Sequence, residues 1–89
     1  MNTPTEEIKN FISAKSNIPV NQLSGDTQML ASGIIRSLTL LELIAHLEKT
    51  FGVEIDQRDL IPENFNDIAS LAQLMDRTVS GRSAVPSAE

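Results

Sequence analysis

The chain has no cysteine, no tryptophan and no tyrosine, and its aromatic residues are three phenylalanines. Without cysteine there is no disulfide framework, no thiolate metal site and no thiol nucleophile supplied by the protein itself. Without the large amphipathic aromatics, the core has to be filled by Leu, Ile, Val and Phe. Basic residues are also scarce, with 7 Lys and Arg against 12 Asp and Glu for a formal net charge of -5. The few cations are scattered along the chain, so no basic patch exists to neutralise phosphates and nucleic acid is not expected as a partner. An acidic surface points instead to proteins that present basic patches. No apolar run is long enough to span a bilayer, and the opening MNTPTEEIKN lacks the basic and apolar regions of a signal peptide. The expectation is a cytoplasmic protein with no membrane association.

Eighty-nine residues, 40% hydrophobic and 21% charged, make one small globular domain in which every helix face has to be used. Thr3-Pro4-Thr5-Glu6 reads as a helix start, with Thr3 as cap, Pro4 in the first position and Glu6 closing a capping box. Ile8, Phe11 and Ile12 follow at helical spacing, and the helix is expected to end near Ser16. From Asn17 to Arg36 no helical period survives. Ile18, Val20, Leu23, Met29, Leu30, Ile34 and Ile35 supply regular apolar anchors, which predicts a long loop packed across the core and ending in a turn at Gly33. Ser37 to Phe51 is the strongest helix, with a core stripe of Leu40, Leu43, Ile44, Leu47 and Phe51 and a stop at Gly52. Val53 and Ile55 anchor the next turn, and Asp56 to Leu60 forms a short helical turn ahead of Pro62. A last helix starts near Asn66-Asp67, capped by Asn66, and carries Ile68, Leu71, Ala72, Met75 and Val79. The expected organisation is a domain over 1–79 and a disordered tail, SGRSAVPSAE, over 80–89. No strand is needed, and the fold class is an all-α bundle of three main helices plus one short helix, with a long first loop.

Candidate chemistry is sparse. Ser37 and His46, the single histidine, lie nine residues apart on one helix, roughly 180° around its axis and about 13 Å along it, so they cannot share a proton as nucleophile and base. Glu42 and Glu48 beside His46 form no recognisable metal-ligand set. The four glycines are too far apart for a phosphate loop. No catalytic residue and no metal site are expected, and taken alone Ser37 reads as a helix N-cap. Leu38, Leu41 and Ala45, interleaved with Glu42 and Glu48, occupy a second face of this helix that the core does not require.

The segment DTQMLASGIIRSLTLLELIAHLEKTFGVEI, followed by RDLIPENFNDIASLAQLM, resembles the acyl carrier protein family from the first helix to Met75. That family has a Gly-hydrophobic-hydrophobic-Asp-Ser-Leu motif at the start of its second helix. Gly33, Ile34, Ile35, Ser37 and Leu38 match it position by position, as do Glu42, Leu43, Leu47, Glu48 and the block Phe51 to Ile55. The resemblance implies an acyl-carrier-protein-like bundle and 4'-phosphopantetheine, taken from coenzyme A and attached to Ser37 by a phosphopantetheinyl transferase. It implies a thioester-linked acyl or aminoacyl load and no catalysis by the domain itself. The implied partners are an acyl- or aminoacyl-activating (adenylating) enzyme and a downstream acyltransferase, synthase or thioesterase, in fatty acid, polyketide or nonribosomal peptide biosynthesis. Leu38, Leu41 and Ala45 would be apolar partner contacts and Glu42 and Glu48 acidic ones, with Lys49 a departure from a wholly acidic face. DLIPENF further suggests a small stand-alone carrier, and monomer is the default state.

Arg36 stands where the family motif has aspartate. A cation at the positive pole of a helix is unfavourable by about 0.3–1 kcal/mol, and the change reverses charge beside the modified serine. Three readings stay open. The domain is modified by a transferase that tolerates the cation, which would then adjoin the phosphodiester; Arg36 is an engineered or selected change that impairs modification; or the chain is a non-modified helical docking module.

Overall fold

The computed structural model describes the backbone of residues 3–33 and 35–84, and the side chains of these except residues 37 and 81–84. Helix α1, Pro4–Ser16, opens with the expected capping box: the Thr3 hydroxyl accepts from the Glu6 N–H, and the Glu6 carboxylate accepts from the Thr3 N–H, both at 3.2 Å. It ends at Asn17, whose N–H makes the last helical bond, to the Ser13 carbonyl, and whose left-handed backbone (φ 58°) turns the chain out of the helix. Helix α2, Ser37–Phe51, is stopped by Gly52, also left-handed (φ 66°). Ile8 and Ile12 of α1 and Leu43, Ile44 and Leu47 of α2 are buried, with Phe11, Leu40 and Phe51 packed against them.

Helix α3, Ile68–Ala84, differs from the expectation at both ends. Its cap is Asp67 and not Asn66: the Asp67 carboxylate accepts from the Ser70 N–H at 2.8 Å, while the Asn66 carbonyl accepts from the Met29 N–H at 2.9 Å. The helix also continues five residues past Val79, so Ser80 to Ala84, expected in the tail, are helical. A single Gly81 costs only about 1 kcal/mol relative to Ala, and in sequence the first residue that a helix interior rejects is Pro86. Residues 85–89 of the expected tail lie outside the described residues.

The loop from residue 17 to residue 36 is fastened to α3. Ile68 donates its N–H to the Thr27 carbonyl (3.1 Å) and Ala69 to the Gly25 carbonyl (2.9 Å), so the orphan donors of the first turn find acceptors in the loop. An isolated antiparallel bridge pairs Gln28 with Asp67. Leu23, Met29 and Ile35 are buried and Ile18 and Leu30 partly so. Val20 is not the anchor expected: it opens a 3-10 turn, Val20–Gln22, that lies on the surface with no buried residue. Ile34 falls outside the described residues.

Between α2 and α3, Val53 and Ile55 are buried and two 3-10 turns, Gln57–Asp59 and Pro62–Asn64, take the place of the short helix. They lead to Phe65, a buried residue with no periodic signal in the sequence. With α1 packed on both α2 and α3, and no strand among the described residues, the fold is the expected all-α bundle.

Gly25 sits close against α3, and a Cβ there would lie 3.2 Å from the Ala69 Cβ. Replacing Gly25 by Val is therefore expected to lower stability by about 1–3 kcal/mol through overpacking, measured as a fall in the urea midpoint. An unchanged midpoint would show that the loop is not held against α3.

Candidate functional site

The three helices begin in different ways. The first turn of α1 is closed by its capping box and that of α3 by Asp67 and the loop carbonyls. For α2 the N-cap position is taken by Arg36, in an extended conformation (φ -101°, ψ 171°), with no side-chain cap and no acidic residue in the first turn. The Arg36 carbonyl accepts from the Leu40 N–H at 2.7 Å, which makes Ser37 the first helical residue. Ser37 is thus not the N-cap its sequence context suggested. Apart from the Leu40 bond, the amides at the start of α2 have neither a capping side chain nor a loop carbonyl among the described residues.

The chain is held firmly up to this point. Gly33 turns with φ 80° and has open space where a Cβ would lie, its N–H donating to the Leu30 carbonyl at 3.1 Å. Ile35 is buried, and its N–H donates to the Met29 carbonyl at 3.0 Å. Arg36 follows, exposed and without an ion pair or side-chain hydrogen bond among the described residues. Loop anchoring therefore ends one residue before the cation.

Beyond Ser37, Leu38 is 71% exposed, Leu41 59% exposed, and Ala45 exposed. Their spacing of three and four residues places them on one side of α2, opposite the buried stripe. The two glutamates flank this side differently. Glu42 is exposed, 3.5 Å from the Lys15 ammonium of α1. Glu48 is half-buried and accepts from the Ile55 N–H at 2.8 Å, fastening the turn that follows the helix. His46 is turned to α1, its Nε2 3.0 Å from a Glu7 carboxylate oxygen and its ring 5.5 Å from that of Phe11. Among the described residues no cluster of His, Asp and Glu is suited to a metal ion.

One feature was not read from the sequence: an apolar groove of about 310 Å³ beside α2, lined by Leu30, Leu40, Leu41, Ile44, Leu60, Pro62 and Phe65. Leu60, which lines it, is 39% exposed. The segment DLIPENF carries the signal, because Pro62 denies it a helix and leaves its apolar residues at the edge. Two side-chain contacts fix it. The Asn64 amide donates to the Asp59 carbonyl (2.7 Å), and Asp56 accepts from the N–H and guanidinium of Arg58 (2.8 and 2.9 Å). These Arg58 hydrogen bonds hold the exposed Asp56 carboxyl below its usual range. The cap it forms is complete at neutral pH and is lost as pH falls through that lowered value.

Removing the Glu48 carboxylate leaves the Ile55 N–H without its partner. Glu48→Ala is expected to cost about 1 kcal/mol and to speed hydrogen exchange at the Ile55 amide. Unchanged exchange would show that Glu48 does not hold the turn.

A family model described as a phosphopantetheine attachment site matches residues 6–75. No curated protein matches the chain. Among solved structures, a chain from "Crystal structure of FAD-dependent dehydrogenase" is 32% identical with a TM-score of 0.66, over 76% of this chain and 97% of that one.

Proposed function

This chain belongs to the phosphopantetheine attachment-site family, and from that premise we propose that Ser37 carries the arm and that the domain presents a tethered acyl or aminoacyl group to partner enzymes. Membership brings a carrier role and a covalently attached 4'-phosphopantetheine. The observation that carries the assignment to Ser37 is the start of α2, where the first helical residue is a serine and no side chain among the described residues caps the turn. A phosphodiester at that position would meet free backbone N–H groups and the positive end of the helix dipole. Its two neighbours in the chain, Arg36 and Leu38, are exposed.

When attached, the arm supplies the thiol on which the load is held as a thioester, a group this cysteine-free chain lacks. The protein's own residues place and present it. Arg36 adjoins the phosphodiester and offsets its charge, Leu38, Leu41 and Ala45 offer partners an apolar contact, and the groove beside α2 gives an apolar load a place to rest. The domain is read as non-catalytic: His46, the single histidine, is engaged with Glu7 on the α1 side. The partners are a phosphopantetheinyl transferase, an adenylating enzyme that loads the arm, and an acyltransferase, synthase or thioesterase that unloads it, in the cytoplasm.

The likeness to a chain in a FAD-dependent dehydrogenase structure adds a further partner class. This domain covers 97% of that chain, so the matched chain is itself a small domain. A dinucleotide-binding fold needs a parallel sheet and far more residues. A flavin enzyme that oxidises the tethered load is consistent with that likeness. Arg36, a cation where the family motif has aspartate, supports the second reading, a chain with impaired modification that still docks through α2.

Incubation with coenzyme A and a broad-specificity transferase, followed by intact-mass measurement, tests the assignment. The expected result is a gain of one phosphopantetheinyl group on the native chain and none on Ser37→Ala. No gain on the native chain, restored by Arg36→Asp, would favour the second reading; no gain even on Arg36→Asp would overturn the carrier assignment.

A further inference from the structure

The net charge of -5 predicts partners with basic surfaces, but on the face beside Ser37 the glutamates are engaged within the protein and the cations are not. Of the two glutamates on α2, Glu42 lies against the Lys15 ammonium at 3.5 Å, and Glu48 is half-buried on the Ile55 N–H at 2.8 Å. Arg36, the N-cap residue, and Lys49, near the end of α2, are exposed and have no ion-pair partner among the described residues. Between them lie Leu38, Leu41 and Ala45, and Lys49 continues their spacing by one further turn. The exposed side of α2 is thus an apolar stripe about 20 Å long with a cation at each end and Glu42, beside Lys15, along one edge. Exposed carboxylates such as Glu54, Asp56 and Glu63 follow the helix and lie outside the stripe.

We propose that the partner surface receiving α2 is an apolar groove with carboxylates at its rim, one of them placed to meet Arg36 where Ser37 enters. This rests on Ser37 being the attachment site, because it is the approach to Ser37 that brings a partner onto this face. Two leucines, 71% and 59% exposed, require an apolar centre. Charges at the rim of an interface set encounter rates and reject partners of like sign. A basic rim would meet Arg36 unpaired next to the reacting serine. Of the glutamates it would meet Glu42 in competition with Lys15, and engaging Glu48 would leave the Ile55 N–H without an acceptor.

The test is a charge-reversal cycle with the transferase as probe. One broad-specificity phosphopantetheinyl transferase with a basic carrier-binding rim is used in two forms, native and with those rim cations replaced by glutamate. Each is assayed for kcat/KM on the native carrier and on the Arg36→Asp, Lys49→Glu carrier at low and high NaCl. Comparing the ratio of rates across the four pairs cancels any intrinsic loss of activity in either enzyme form. The expected result is a rim preference that reverses between the two carriers by about tenfold or more, shrinking as salt is raised. A cycle ratio of one, or a native carrier preferring the basic rim relative to the variant, overturns the proposal while leaving Ser37 as the attachment site. If neither enzyme form modifies either carrier, the attachment assignment fails and this proposal falls with it.

Discussion

The first N–H groups of α3 need acceptors, and the loop before α2 supplies them. Ile68 and Ala69 donate to the carbonyls of Thr27 and Gly25, and the Met29 N–H returns to the Asn66 carbonyl. Twenty residues without a helical period would otherwise be costly in a domain of this size. Here they are fixed by backbone hydrogen bonds at one end and by buried Leu23, Met29 and Ile35 along their length. What this fixes in turn is the position from which α2 departs. Gly25 permits the close approach, and Ile35, buried one residue before Arg36, passes it on to the first turn of α2.

Two helix starts are closed and one is left open. The capping box at Thr3 and the carboxylate of Asp67 satisfy donors in the usual way, whereas α2 begins with Arg36 and no acidic residue. A stability-driven sequence would place Asp or Ser at the cap. A first turn that has no capping side chain among the described residues is the arrangement that suits an anion held on the first helical residue. The family match over residues 6–75 gives that reading its chemistry. The side chains along α2 follow the same division of labour, with Glu48 and Glu42 engaged with the protein and Leu38 and Leu41 turned outward.

Most of the helical frame was legible because it rests on local rules. Thr3 to Glu6, the Gly52 stop and the stripe of Leu43, Ile44 and Leu47 are periodicity and capping, which a sequence displays directly. The misreadings share one cause, a tertiary contact. Asn66 and Asp67 are equally good caps in isolation, and the choice is made by Met29, which uses the Asn66 carbonyl. Val20 has the composition of an anchor but sits in a surface turn. Phe65 and the groove it lines are created by two 3-10 turns with no periodic signature. Glu48 resembles Glu42 in sequence, and only the return of the chain at Ile55 separates their roles. Net charge was the least informative guide, because it says nothing of where the charges lie or which are already paired.

The central claim is that the loop closes the start of α3 and leaves the start of α2 open for an anion on Ser37. Amide hydrogen exchange on the unmodified and phosphopantetheinylated protein tests both halves at once. The amides of Met29, Ile68 and Ala69 should be protected to a degree near that of Leu43 in both states, while those of Leu38 and Thr39 exchange fast in the unmodified protein and slow once Ser37 carries its phosphodiester. Exchange at Ile68 and Ala69 as fast as at Leu38, or no slowing at Leu38 and Thr39 on modification, would contradict it.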